Sequence, residues 1–151
     1  MCLILDTDIA HHFNSPMQPD ASKVLDWVEK RGGCIVYGGK NADELFNAGP
    51  EIKRLLLNLS RAGRAKQVLK SRVELETDAV LATGLCRSND PHIIALARTS
   101  NARVLFSHDA NLHIDFKNAQ LLAKPRGVVY QNENQTHLLR HTNSCIGRPG
   151  E

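Results

Sequence analysis

The sequence has few aromatic residues, no long apolar run and no strong excess of charge. Aromatic residues make up 5% of the 151 residues, which argues against base stacking as the main mode of recognition. No apolar run approaches the roughly 20 residues of a membrane span, and the opening Met1 to Asp6 is too short and too acidic for a signal peptide. A net charge of +3 is common among soluble enzymes and does not diagnose a nucleic-acid binder. We therefore expect a cytoplasmic protein with no membrane partner.

Closely spaced cysteine pairs are also missing. Cys2, Cys34, Cys86 and Cys145 share no short spacing, and two of them lie in apolar, strand-like segments. This distribution favours reduced, mostly buried thiols over a disulfide framework. A reducing compartment fits that expectation.

Acidic residues are absent between Ile52 and Val73. The same stretch holds seven basic residues, namely Lys53, Arg54, Arg61, Arg64, Lys66, Lys70 and Arg72. Such a segment could neutralise several phosphates of a nucleic-acid strand. It could equally be a solvated helix face with the loop that follows it, and both interpretations stay open.

The apolar pattern predicts strands that alternate with helices. Strands are predicted over residues 3–5, 34–37, 67–69, 103–106 and 127–130, and helices over 21–30, 41–47, 50–62, 76–86, from 91 onward and over 110–116. One further helix is predicted through Leu138 and Leu139. Strands separated by helices imply right-handed crossovers and a mainly parallel sheet covered on both faces. The expected fold class is therefore α/β, a three-layer α/β/α sandwich in one domain over residues 1–146, with a flexible tail over 147–151.

Two acidic residues stand where predicted strands end. Asp6 directly follows Leu3-Ile4-Leu5, and Asp109 comes shortly after the strand that ends at Phe106. Ligands and metals bind at the carboxyl ends of the strands in such sheets, so acids that are distant in sequence can meet there. A hard divalent cation is the expected reason to gather them.

Four short motifs follow one another along nearly the whole chain. They are Leu5-Asp6-Thr7-Asp8, Asp43-Glu44-Leu45, Asp90-Pro91-His92-Ile93-Ile94-Ala95-Leu96-Ala97 and Leu105-Phe106-Ser107-His108-Asp109. In kind and order they resemble the motifs of the PIN-domain nucleases, metal-dependent phosphodiesterases that act mostly on RNA. The resemblance implies a central parallel sheet of four or five strands and an acidic pocket at the strand ends.

Carried over position by position, the resemblance implies that Asp6, Glu44, Asp90 and Asp109 are the catalytic carboxylates. The three aspartates would hold Mg²⁺ or Mn²⁺, while Glu44 would hold or orient the attacking water. Oxygen ligands are the ones that these cations prefer. Carboxylates gathered in this way should repel one another, and at least one should have a raised pKa without metal.

The resemblance leaves some positions open. Asp115, which precedes Phe116, competes with Asp109 as the last site acid and as a metal ligand. Asp8 stands where the family often has Asn or Ser, and it could be a further ligand or a helix cap. Thr7 and Ser107 are expected to donate hydrogen bonds to a carboxylate or to the scissile phosphate.

The implied activity is that of a metal-dependent endoribonuclease, which hydrolyses phosphodiester bonds with a metal-activated water and no covalent intermediate. Basic residues of the acid-free stretch would guide the backbone of RNA, or of DNA. They are Lys53, Arg54, Arg61, Arg64 and Lys66. Many small bacterial members of the family are toxins held inactive by an antitoxin, so an antitoxin partner or a homodimer is compatible with the resemblance.

Each acid also has a purely structural explanation. Asp8, Asp90 and Asp109 could be helix caps, each stabilising its helix by about 1 kcal/mol. Asp43 and Glu44 suit the first turn of a helix through the helix dipole.

Other functions stay open as well. Asp6-Thr7-Asp8-Ile9 also resembles the haloacid-dehalogenase-like phosphatases, in which Asp6 would be the nucleophile, although the later acids of that family are missing here. A non-catalytic PIN-like binding or regulatory module is a third reading. Finally, His137, His141 and Cys145 would line one face of a helical tail, a spacing that can bind zinc.

Overall fold

The computed structural model describes residues 2–140, in which five short strands form one sheet. The strands are β1 (Leu3–Leu5), β2 (Ile35–Gly38), β3 (Ala65–Val68), β4 (Val104–Phe106) and β5 (Val128–Tyr130). Their spatial order is β3-β2-β1-β4-β5, and every pairing is parallel. The predicted α/β class with a parallel sheet is confirmed.

Helices connect the strands within the described residues. The α-helices are α1 (Pro19–Lys30), α2 (Gly39–Asn47), α3 (Pro50–Arg61), α4 (Lys70–Ala82), α5 (Pro91–Ser100) and α6 (Ala110–Phe116). Two 3-10 helices, Thr7–Phe13 and Glu133–Leu138, follow β1 and β5. None of the helices between residues 2 and 140 has the length and apolar character that crossing a membrane requires.

The sheet is covered on both faces, since successive side chains of a strand point to opposite sides. Ile4 packs in a buried cluster that includes apolar residues of α4, α5 and α6. Leu3 and Leu5 pack in a second cluster with residues of α1, α2 and α3. The strands therefore read as continuous apolar runs, as expected of a sheet buried on both faces.

The strand order creates a crevice between β1 and β4. From β1 the chain moves outward to β2 and β3, and it then returns to place β4 on the other side of β1. The connections that leave β1 and β4 diverge at this switch point, where ligands bind in open α/β sheets. The residues that follow Leu5 and Phe106 border this crevice.

Helix α4 differs from its predicted position. It begins at Lys70 rather than at residue 76 and ends at Ala82 rather than at residue 86. Only Val73 and Val80 of this helix are buried, so its apolar pattern was too weak to mark its boundaries. The end is set by Gly84, whose φ of +66° is left-handed.

The predicted last helix is present as the 3-10 segment Glu133–Leu138 rather than as an α-helix. The predicted flexible tail over 147–151 lies outside the described residues. So do His141 and Cys145 of the proposed zinc-binding face, while His137 is exposed.

A disulfide joins Cys2 and Cys34, whose Cα atoms are 4.8 Å apart. The prediction of reduced thiols is wrong for this pair. The expectation of a reducing compartment rested on that prediction, so the disulfide removes its basis. The two cysteines precede Leu3 and Ile35, which are partners in the β1–β2 pairing. Sequence spacing could not reveal this proximity, because strand pairing creates it.

Adjacent leucines on α3 give a test of how this helix packs. Leu56 is fully buried, whereas Leu57 is 38% exposed. We expect Leu56→Ala to lower the free energy of unfolding by about 2 to 5 kcal/mol through lost burial and a residual cavity. The matched Leu57→Ala change should lower it by less than about 1 kcal/mol. Urea unfolding followed by circular dichroism measures both, and equal losses would contradict the orientation of α3.

Candidate metal centre

Asp6 is held at the carboxyl edge of the sheet by the pairing of β1 with β4. Its backbone N–H donates to the Phe106 carbonyl at 3.0 Å, which continues the strand pairing beyond Leu5. The side chain is 7% exposed. Its Oδ1 accepts the Thr7 N–H at 2.8 Å, and its Oδ2 accepts the Ser107 hydroxyl at 2.7 Å. These bonds orient a largely buried carboxylate.

Asp109 caps α6 and also faces the crevice. One oxygen, Oδ1, accepts the N–H groups of Asn111 and Leu112 at 3.0 and 3.3 Å. The Asp109 N–H donates to the Ser107 hydroxyl at 3.0 Å. Ser107 therefore links Asp6 to Asp109. Both capping bonds use the same carboxylate oxygen, which leaves Oδ2 outside the cap.

Asp90 immediately precedes Pro91 at the start of α5, yet its side chain makes no capping hydrogen bond. Its backbone φ and ψ are −121° and 53°, and its N–H donates to the Ser88 hydroxyl at 3.2 Å. The explanation of Asp90 as a helix cap is therefore wrong. Its carboxylate is positioned without being used by the helix that it precedes.

Glu44 reaches the crevice from α2, which begins directly where β2 ends. Gly39 makes this abrupt turn with a φ of +57°, and a Cβ atom there would lie 2.8 Å from the Val73 side chain. The Glu44 Oε2 accepts the Thr7 hydroxyl at 3.1 Å. The Lys40 ammonium lies 3.7 Å from its Oε1, one helical turn earlier.

The four predicted acids fall into two overlapping groups. Asp6, Asp90 and Asp109 offer oxygen atoms that all lie within 4.8 Å of one another. Glu44 and Asp90 form the second group with His92, within the same limit. Asp90 belongs to both. These five residues could hold a metal ion, and the all-oxygen donor set of the first group is the kind that hard divalent cations prefer.

Asp115 belongs to neither group. It is 1% exposed, and its carboxylate accepts the N–H groups of Arg87 at 2.8 and 3.1 Å and of Ser88 at 2.9 Å. These bonds anchor the loop that leads to Asp90. The expectation of Asp115 as a metal ligand finds no support in this geometry, because its carboxylate is held by three backbone hydrogen bonds and lies in neither group.

The neighbouring polar residues are also placed. Thr7 and Ser107 each donate to a carboxylate, to Glu44 and Asp6 respectively, which is the first of the two roles expected for them. Asp8 is exposed, and its Oδ2 accepts the His108 N–H at 2.9 Å. It thus ties the segment after β1 to the segment after β4 and lies in neither metal-binding group.

Burial and like charge together raise the pKa of Asp6 to about 7 from an ordinary 3.8. The largest cause is the loss of water around the carboxylate, and the negative charges of Asp8 and Asp90 add to it. The hydrogen bonds from Ser107 and Thr7 favour the charged form and oppose the shift. The site therefore disfavours the charged form of the Asp6 carboxylate.

The pKa of Asp90 is also raised, first by burial and then by the charges of Glu44 and Asp109. Burial lowers the pKa of His92, although the charges of Glu44 and Asp90 oppose that shift. At neutral pH the imidazole is accordingly neutral and keeps a nitrogen lone pair, as a metal ligand must.

His92 is the residue of this site that the sequence-based assignment missed. It follows Asp90 by two positions and directly precedes the apolar stretch of Ile93 to Ala97, and it is 4% exposed. One sequence signal could have indicated it: a histidine that follows a site acid by two positions at the start of an apolar helix. Lys40 was also missed, because only the fold brings it beside Glu44.

The basic residues of the acid-free stretch do not lie together at the acidic edge. The start of α3 is tied to the segment after the first 3-10 helix, where Glu51 accepts the Ser15 N–H at 2.9 Å. The Arg64 carbonyl accepts the Ile35 N–H at the amino end of β2, at the opposite edge of the sheet. Lys53 and Arg54 lie near the start of α3, while Arg61, at the end of α3, and Arg64 lie toward the far edge.

Comparisons with known proteins add no relative: no protein-family model, no curated protein and no solved structure matched this chain.

The raised pKa of Asp6 predicts a fall in stability as the pH rises. Below the ordinary pKa, Asp6 is protonated whether the chain is folded or unfolded. As the pH rises from about 4 to about 7, the unfolded chain ionises first, since the folded-state pKa is about 7. Ionisation then opposes folding, fully so above pH 7. Asp6→Asn should therefore gain stability over wild type between pH 5 and pH 8, on the order of 2 kcal/mol after the loss of one hydrogen bond.

Urea unfolding at pH 5 and pH 8 with a chelator measures this difference. Asp78→Asn, which changes an exposed acid on α4, is the control and should keep the wild-type pH dependence. An Asp6→Asn protein that loses stability in parallel with wild type would contradict the assignment.

Proposed function

We propose that this protein is a metal-dependent nuclease of the PIN type that hydrolyses phosphodiester bonds of RNA. The observation that carries the proposal is the convergence of Asp6, Asp90 and Asp109, with Glu44 beside them, at the switch point of a parallel sheet. Three of these acids come from the ends of β1 and β4 and from the start of α5. They are remote in sequence, so local helix capping does not explain their common location.

The donor set suits Mg²⁺ or Mn²⁺ in this proposal. Each oxygen of Asp6 accepts one hydrogen bond, which fixes the carboxylate and leaves lone pairs for a cation. Asp109 accepts its capping bonds on one oxygen, and the Asp90 carboxylate makes no capping bond. When bound, such a cation would neutralise phosphate oxygens and lower the pKa of a coordinated water. It would also relieve the mutual repulsion of the acids, which burial makes unfavourable.

The protein residues then have separate tasks. Ser107 donates to Asp6 and accepts from the Asp109 N–H, so it keeps two ligands in register. Thr7 fixes Glu44, whose side chain is 33% exposed and can therefore contact a water or a substrate. Lys40, close to Glu44, supplies a positive charge that would attract a phosphate to the acidic edge.

Cleavage of labelled single-stranded RNA tests the proposal directly. Wild type should cleave with Mg²⁺ or Mn²⁺ and not with a chelator. Asp6→Asn and Asp90→Asn should each lose at least about 100-fold in rate, since even groups that merely support a metal ligand are worth about 10- to 100-fold. Glu44→Gln should also lower the rate, because Glu44 is assigned to the attacking water. Asp43→Asn, beside Glu44 but 57% exposed, is its matched control and should retain activity.

The alternatives predict other results in the same set of assays. Hydrolysis of a small phosphomonoester through a phosphorylated Asp6 would favour the dehalogenase-like phosphatase. The geometry does not favour the phosphatase, because Asp8, which would be its general acid/base, accepts a hydrogen bond from the His108 N–H. Cleavage of DNA in preference to RNA would correct the substrate class. If the protein hydrolyses none of these substrates, the proposal of an enzyme is overturned in favour of a binding module.

Placement of the basic residues predicts which of them contact RNA. Eight residues separate Lys53 from Arg61 on α3, which is about 12 Å along the helix axis. We expect the Lys53→Gln/Arg54→Gln pair to weaken RNA binding and to reduce the salt dependence of log Kd by about one per side chain removed. The Arg61→Gln/Arg64→Gln pair removes the same charge at the far edge and should change both quantities much less.

Fluorescence polarisation with labelled RNA at several salt concentrations measures these values, in an Asp6→Asn background that prevents cleavage. Equal effects of the two pairs would show that the acidic edge does not direct the RNA.

A further inference from the structure

The second group of the metal centre differs chemically from the first, because His92 brings a nitrogen donor to Glu44 and Asp90. We propose that Glu44, Asp90 and His92 form a second cation site that shares Asp90 with the first and takes Mn²⁺ in preference to Mg²⁺. This inference rests on the proposed nuclease function, whose metal site it extends. Sharing is possible because a carboxylate has two oxygens, and paired ions about 3.5 to 4 Å apart are common in enzymes that cleave phosphodiesters.

The distance between His92 and Glu44 supports a ligand role. The Nε2 of His92 lies 3.8 Å from the Glu44 Oε2, which is too long for a hydrogen bond. Two ligands of one cation with bonds of about 2.1 Å can be up to about 4.2 Å apart. The spacing therefore fits two donors around one ion, and without an ion it is that of a long ion pair rather than of a hydrogen bond.

Among the histidines of residues 2–140, His11 and His137 are exposed to water, and hydrogen bonding distinguishes His92 from the other three. His12 pairs with Asp20 at 2.8 Å, His108 with the Gln131 carbonyl at 3.0 Å and His113 with the Ser107 carbonyl at 2.7 Å. Within residues 2–140 neither ring nitrogen of His92 has a hydrogen bond, although only 4% of the residue is exposed. A buried imidazole normally finds such a partner. In this site the nearest acidic groups are the carboxylates of Glu44 and Asp90, each with an oxygen within 4.8 Å of a ring nitrogen of His92.

Local structure brings the three donors together. Pro91 starts α5 and places Asp90 and His92 on either side of itself, at the N-terminal end of that helix. Glu44 arrives from α2, fixed by the Thr7 hydroxyl. The donors thus come from ordered helices rather than from a loose loop, which favours a defined site.

Donor chemistry gives the preference for Mn²⁺. Mg²⁺ keeps oxygen ligands and several waters, and it accepts nitrogen reluctantly. Mn²⁺ also suits carboxylates, and as a transition metal it gains more than Mg²⁺ does from an imidazole. The first group, with three carboxylates, has no such donor to distinguish the two cations.

Pulsed electron paramagnetic resonance of the Mn²⁺-loaded full chain tests the site. Mn²⁺ bound through His92 should show a hyperfine coupling to ¹⁴N that becomes a ¹⁵N coupling when histidine is labelled with ¹⁵N. Mg²⁺ added in excess should not abolish it. A wild-type spectrum without nitrogen coupling would overturn the inference, and this result needs no variant.

Variants then identify the nitrogen. His92→Gln should lose the coupling and weaken Mn²⁺ binding at one site by at least about 10-fold in calorimetry, with Mg²⁺ binding changed by less than about twofold, since the first group lacks His92. His11→Gln removes an exposed histidine outside both groups and should leave the coupling intact. Coupling that persists in His92→Gln would also overturn the inference.

The outcomes separate this inference from the proposed function. RNA cleavage with Mg²⁺ in a protein that shows no nitrogen coupling would keep the nuclease and remove the second site. Nitrogen-coupled Mn²⁺ in a protein that cleaves no RNA with either cation would keep the site and remove the nuclease.

Discussion

The parallel pairing of β1 with β4 is the constraint on which the rest of this structure depends. Leu3, Ile4 and Leu5 lie opposite Val104, Leu105 and Phe106, and the register carries one residue further because Asp6 donates to the Phe106 carbonyl. This register sets Asp6 beside Ser107, two residues that are 101 positions apart in the chain. A slip of one residue would turn every side chain of β1 to the other face, so the apolar core and the acidic edge are specified together.

The acidic edge is unfavourable as an isolated arrangement. Burial alone raises the pKa of Asp6, and the charges of Asp8 and Asp90 raise it further. The fold tolerates this because Thr7 and Ser107 donate hydrogen bonds to the carboxylate. Strongly perturbed pKa values of carboxylates cluster at functional sites. A cation would turn the same arrangement from a penalty into a favourable interaction.

The acids around the crevice divide into structural and available groups. Asp115 accepts hydrogen bonds from the backbone N–H groups of Arg87 and Ser88. Asp8 accepts one from the backbone N–H of His108. Asp109 caps its helix through Oδ1 and also belongs to the first group, with Oδ2 outside the cap. Asp90 serves neither cap nor loop with its carboxylate, and it is the residue that the two groups share. The structural acids hold the segments that carry the available ones.

The sequence by itself determined the alternation of strands and helices, the parallel sheet and the identity of Asp6, Glu44, Asp90 and Asp109 as candidate acids. Apolar runs and turn residues act locally, and hence they are readable from neighbouring positions. Only the tertiary structure decided that Asp115 is a loop anchor, that His92 faces the acids and that Cys2 and Cys34 meet. Each of these contacts depends on which strands pair and on where the connecting helices begin. A local pattern could mark His92 as a candidate, but it could not show that the side chain lies beside Glu44.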